Sequence, residues 1–190
     1  MRLFQLLLLS SSALLLTAIA SPGQQQAPSS TVWQQTQKTE SGRGSSNVQF
    51  SLTGKFLTRP PKDADIPPSL VVTCRPHSSR RKFFTADVNV GAPLTVKYIE
   101  PDEIKAGTSY FPKVFVEYRL NDGKEQKEQW TPGTEKISAA IPKKTLEKIL
   151  QASSVMIKVL DNRGGEISMQ FDIPDSTPLA TSCDLPIRKK

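Results

Sequence analysis

The sequence predicts a mainly β protein: an antiparallel β-sandwich, or an open barrel, of about seven to nine strands with one short helix. Three observations carry this. From Asn47 onward, apolar and polar residues alternate along successive short segments, as strands with one buried and one wet face require. Turn residues punctuate those segments. A single stretch, after Pro142, places apolar residues at helical spacing.

Residues 1–20 read MRLFQLLLLSSSALLLTAIA. Arg2, a Leu-rich run and the small residues Ala18 and Ala20 form the three-part pattern of a secretory signal peptide cleaved near Ala20. An uncleaved anchor is the alternative, but the apolar run is short of the roughly 20 residues a spanning helix needs and is broken by Ser10 to Ser12. Export to the periplasm or beyond, with no transmembrane segment after cleavage, is the expectation. Residues 21–46 are rich in Gln, Ser and Gly, with little to bury beyond Val32 and Trp33. Such a composition offers little burial to offset ordering and reads as a flexible leader. Trp33 is expected to dock on the domain; a partner contact is the other use of such a Trp.

The folded domain is expected over 47–186, with a basic tail at 187–190. Val48, Phe50 and Leu52 open the strand series, and Leu70, Val72 and Cys74 share a face of the next segment. Phe84, Ala86, Val88 and Val90 follow, then Leu94, Val96 and Tyr98. Val114, Val116, Tyr118 and Leu120 make the cleanest run, followed later by Val155, Ile157 and Val159, and by Ile167, Met169, Phe171 and Ile173. Asn121-Asp122-Gly123 and Asn162-Arg163-Gly164-Gly165 are hairpin turns, because these residues tolerate positive φ. The first should pair 113–120 with the segment ending at Trp130, the second 155–160 with 166–173. Loops are expected between Pro60 and Pro68 and from Pro101 to Pro112. Pro142 suits the first position of a helix, with Leu146, Ile149 and Leu150 inward and Lys143, Lys144, Glu147 and Lys148 outward. Tyr118, Trp130 and Phe171 are assigned to the core.

Composition narrows the chemistry. The 190 residues include 25 Lys and Arg against 18 Asp and Glu, a formal net charge of +7, with one His and two Cys. A His- or Cys-rich metal site is excluded, no cofactor is implied, and a His-centred triad lacks its parts. Hydrophobic residues are only 37 %, so part of the chain lies outside any core. In an exported chain Cys74 and Cys183 are most simply a disulfide, which closes a loop worth about 4–5 kcal/mol in the chain-entropy model. A reactive thiol is the alternative, but no CxxC motif accompanies it.

Catalytic candidates are thin. His77 sits in a basic loop and reads as an exposed residue. Ser79-Arg-Arg-Lys82 matches the SxxK spacing of a Ser–Lys hydrolase, without the SDN and KTG companions that chemistry uses. The basic cluster is more telling. Arg75, Arg80, Arg81 and Lys82 crowd one loop, and Arg188, Lys189 and Lys190 end the sequence. A Cys74–Cys183 bridge brings both clusters within reach of each other, giving a surface for an envelope protein partner, an anionic polymer or a lipid headgroup. A plain solvated surface is the other account of these charges. Nucleic acid is not expected, since no aromatics interleave with the cations as stacking platforms.

The order of motifs from Trp33 to Cys183 resembles the type VI secretion-associated VasI-like family of exported accessory proteins. The matching stretches are Trp33-Gln-Gln-Thr-Gln-Lys-Thr-Glu, Leu70-Val-Val-Thr-Cys74, Val116-Glu-Tyr-Arg-Leu-Asn-Asp-Gly123, Gln129-Trp-Thr-Pro-Gly133, Leu146 to Ser153, Met169-Gln-Phe-Asp172 and finally Cys183. The resemblance implies an envelope protein without catalytic residues, acting beside a larger secretion machine. The Pro-rich segment after Asp172 departs from the family, whose pattern suggests a short helix before the Cys, and the 75–82 loop is unusually basic. The expected function is therefore an exported, non-enzymatic binding protein with contacts at Arg75, Arg80, Arg81 and Lys82; the alternative is an exported hydrolase using Ser79 and Lys82.

Overall fold

A computed structural model describes residues 32–39, 46–62, 64, 66–75, 83–99 and 111–185. The expected signal peptide, His77, Ser79, Arg80, Arg81, Lys82 and the basic tail lie outside the described residues. Among the described residues there are eleven strands and two helices. The strands are β1 (Gln34–Thr39), β2 (Ser46–Thr53), β3 (Lys55–Phe56), β4 (Ser69–Arg75), β5 (Phe83–Asn89), β6 (Lys97–Ile99), β7 (Phe111–Leu120), β8 (Gln126–Pro132), β9 (Ser138–Ala140), β10 (Ser154–Leu160) and β11 (Glu166–Asp172). The helices are α1 (Lys143–Ile149), between β9 and β10, and α2 (Thr177–Cys183).

All pairings are antiparallel, in the order β1-β2-β4-β5-β9-β8-β7-β10-β11-β3, with β6 added to β7. The fold is thus mainly β, one open antiparallel sheet. Its path closes on itself through the chain. β2 pairs with β4, β3 pairs with β11, and only Gly54 separates β2 from β3. A Cβ at Gly54 would stand 2.6 Å from Phe171 Cε1 and 2.7 Å from the Gln170 carbonyl oxygen, so only glycine lets the β2–β3 link approach β11 this closely.

The alternation read from sequence is the burial observed. Phe50 and Leu52, Leu70 and Val72, Val114 and Val116, Val155 and Ile157, and Met169 and Phe171 all point into one core. Tyr118, Trp130 and Phe171 are buried as expected. Both hairpins form between the expected segments, with Tyr118 opposite Gln126 and Leu160 opposite Glu166. Asn121 takes φ 51° at the first turn, and its Oδ1 accepts from the Ser153 and Ser154 amides. At the second turn Asp161 Oδ1 accepts from the amides of Arg163 and Gly165.

Several expectations need correction. The strand count rises from seven to nine to eleven, because β1, β3 and β9 lack the long apolar alternation that marks a strand. Gln34–Thr39, placed by composition in the leader, is a strand paired along its whole length with β2, and Trp33 is buried against the core. Its order comes from the backbone ladder and one indole, while its own side chains from Gln34 to Lys38 stay exposed. The segment expected as a strand from Leu94 to Tyr98 is only a bridge at Leu94 followed by β6. β7 begins at Phe111, inside the expected loop, and Pro112 sits within it opposite Tyr98.

A second helix, α2, forms within the Pro-rich segment. Pro178 stands in its first turn, where a missing N–H costs nothing, and Asp184 closes it at φ 56°. Pro142 immediately precedes α1 instead of occupying its first turn, and Leu146 and Ile149 are fully buried on its inner side.

Candidate functional site

The sequence points to the end of the β4–β5 hairpin. Arg75, the last residue of β4, is exposed and lies opposite Phe83. One residue earlier, Cys74 is bonded to Cys183, with Cα atoms 5.1 Å apart across a sequence separation of 109. Both half-cystines are buried, and the bridge holds α2 against β4. The expected pairing is therefore present, and it ties the end of α2 to the residue before Arg75.

The structure adds a cation that sequence reasoning left on a solvated helix face. Lys143, which opens α1, places its ammonium 5.6 Å from the centre of the Phe84 ring. Phe84 is paired with Cys74 in the β4–β5 ladder. Cys74 and Phe84 share one face of the ladder, so Lys143 and the disulfide lie on that side of the end of β4, while Arg75, one residue on, faces the other way and Asp184 is the exposed acid next to Cys183. The sequence held one clue: Pro142 fixes where the helix starts, so Lys143 is the first residue able to overhang the strand ends. Arg80, Arg81 and Lys82, the other expected contacts, lie outside the described residues.

A second cluster was missed altogether. On β8, Gln126, Glu128 and Trp130 share the inward face, so a carboxylate enters beside the core. Glu128 accepts from Tyr118 Oη at 2.7 Å, from Trp130 Nε1 at 2.9 Å and from Thr145 Oγ1 at 2.8 Å. Tyr118 also lies 2.8 Å from Gln126 Oε1, and its ring is 6.2 Å from that of Trp130. Burial pushes the Glu128 carboxyl up, but the three donors and the nearby Lys148 ammonium outweigh it and hold it below the usual carboxylate range. Burial, with the hydrogen bond to Glu128, pushes the Tyr118 phenol up to about 12. Both shifts favour an ionised carboxylate facing a neutral phenol. The cluster is a brace: Thr145 ties α1 to β8 through a fixed charge.

Burial also raises the Asp87 carboxyl on β5 above its ordinary value. Among the described residues, no group of three His, Cys, Asp or Glu side chains is placed to hold a metal ion. Nor is any described helix long and apolar enough to cross a membrane. Comparison with protein-family models, with curated proteins and with solved structures finds no match to this chain.

Proposed function

We propose that this protein is an exported, non-enzymatic envelope protein that binds an acidic protein partner or anionic ligand through the cationic end of its sheet. The observation that carries the reading is the Cys74–Cys183 bridge beside Arg75, with Lys143 brought over Phe84 at the same end. Arg75 and Lys143 put a cation on each side of a strand end that the bridge holds in place, and pre-organisation of this kind lowers the entropy lost on binding. The signal-peptide pattern and the disulfide support export. The form of this reading in which the partner belongs to a secretion apparatus is supported by the order of motifs between Trp33 and Cys183.

The test is a cross-linked pull-down with oxidised protein and envelope extract from its own source. It is run in parallel with a variant carrying Ala at Arg75, Arg80, Arg81 and Lys82. Recovery of one defined set of acidic envelope components, lost in the variant, is the expected result. Equal recovery by both proteins would remove the contact from the basic loop, and recovery of nothing would end the partner-binding reading.

A further inference from the structure

Away from the cationic end, the outer face of the sheet changes character along β7. Side chains across β8, β7 and β10 stand in rows set by the register. The row through Glu117 is fully ionic. Lys127 lies 2.5 Å from Glu117 on one side, and on the other Lys158 lies opposite Glu117 and 3.0 Å from Glu125. One step further the row becomes apolar. Phe115 lies opposite Gln129, and Phe115 and Leu160 are the next outward residues beyond the Glu117–Lys158 pair.

The step after that is cationic and then aromatic. Lys113 lies opposite Lys97 on β6, and Phe111 lies opposite Ile99. The exposures are high for such side chains: 57 % for Phe111, 44 % for Phe115 and 41 % for Leu160. Single exposed apolar residues are ordinary, but three gathered on one sheet face are a patch. Lys97 lays its ammonium 5.1 Å from the Phe115 centroid, and Lys113 reaches 3.5 Å toward Thr131 Oγ1. Among the described residues neither lysine has a carboxylate partner, whereas both lysines in the Glu117 row do.

We infer that this face docks on an anionic lipid surface, with Phe111, Phe115 and Leu160 entering the headgroup layer and Lys97 and Lys113 meeting lipid phosphates. Charge decides among the occupants. A second copy would bring two more lysines and no carboxylate of this patch to the interface, so the cations would stay unpaired. A hydrophilic polyanion satisfies the lysines but leaves both phenyl rings in water. A bilayer interface accepts both parts, since lysine stems run along apolar surface while their ammonium groups stay at headgroup level. The inference is independent of the proposed function, whose contacts lie at the end of the β4–β5 hairpin.

The test is co-sedimentation of the chain from Ser21 onward, which keeps every described residue and omits the apolar leader. The probes are vesicles of phosphatidylcholine alone or mixed with phosphatidylglycerol. Wild type should pellet only with the anionic vesicles. Binding should fall about fivefold for each of Lys97 and Lys113 neutralised to Gln, and more than about tenfold for Phe111→Ser with Phe115→Ser. The quadruple Ala variant at Arg75, Arg80, Arg81 and Lys82 is run beside these to separate this face from the cationic end of the sheet. A second readout guards against a misfolded variant. Trp33 and Trp130 are buried, so Phe115→Trp adds an exposed reporter that should be quenched by brominated acyl chains only in anionic vesicles. Wild type that fails to pellet, face variants that bind like wild type, loss confined to the quadruple variant, or an unquenched reporter would each overturn the inference. So would binding of soluble polyaspartate through the same two rings in place of vesicles.

Discussion

Replacing Glu128 tests whether a charge on the inner face of β8 holds α1 in place. Three donors converge on this carboxylate: Tyr118, Trp130 and Thr145. Glu128→Leu removes the acceptor from all three. Tyr118 retains Gln126 Oε1 at 2.8 Å, so its hydroxyl stays satisfied. The Trp130 N–H and Thr145 O–H belong to residues 0 % and 2 % exposed and lose their partner. Each orphaned buried donor costs about 1–3 kcal/mol, giving roughly 2–6 kcal/mol for the pair. Glu128→Gln is gentler. With its carbonyl toward Trp130 and Thr145 and its amide toward Tyr118, every group keeps a partner and only the charge assistance is lost, about 1–2 kcal/mol.

Urea unfolding followed by tryptophan emission ranks the three proteins. The pH dependence supplies a second check. The folded-state pKa of Glu128 is depressed, so its contribution is fully present above the ordinary glutamate value of about 4.3 and is lost as pH falls through the lower folded value. Wild type should therefore lose stability relative to Glu128→Gln on acidification below about pH 4.3. A Leu variant as stable as wild type, or a Gln variant weaker than the Leu variant, would refute the brace.

Three further outcomes are expected. Gly54→Ala should cost about 1–3 kcal/mol, because its methyl meets the Phe171 ring and the Gln170 carbonyl, whereas Gly164→Asn, at φ 81° with open space around it, should be nearly neutral by thermal melting. Trp33→Ala should cost about 3–5 kcal/mol, while Trp33→Phe should be close to neutral in chemical denaturation, since the buried Trp33 Nε1 has no hydrogen-bond partner among the described residues. Replacing Cys74 and Cys183 together by Ser should lower stability by up to about 4–5 kcal/mol and expose amides of α2 to hydrogen exchange ahead of those of β7.

Much of this architecture was legible because most strands bury one face. The alternation at Val114, Val116 and Tyr118 marks β7 and its inward side without any knowledge of its neighbours. The Asn- and Gly-containing turns set the register of two hairpins. The disulfide followed from there being two cysteines in a chain that reads as exported. What stayed hidden lacks a side-chain signal. β1 is ordered by its ladder to β2, and β3 is two residues that find β11 only because Gly54 permits the approach. α2 was masked by its own Pro178, which starts a helix as readily as it ends one. Glu128 was hidden by its charge, although it shares strand parity with Trp130 two residues away. Lys143 met Phe84 only through the packing of α1, which no local pattern encodes.

The closing contact between β3 and β11 also has a bearing on the order of assembly. Phe56 pairs with Met169, and Cys74 with Cys183, so the early strands receive their last neighbours from the far end of the chain. The β7–β8 and β10–β11 hairpins need only a few intervening residues and can form as soon as they emerge. Contacts of such long sequence separation form slowly, because the loop entropy is lost before the contact is gained. β3 therefore waits for its partner β11, and the Cys74 thiol, at the other end of the β2–β4 pair, waits for Cys183. During that interval a free thiol at one end of the β2–β4 pair and an unpaired strand at the other each give an opening, to premature disulfide exchange and to strand pairing between molecules.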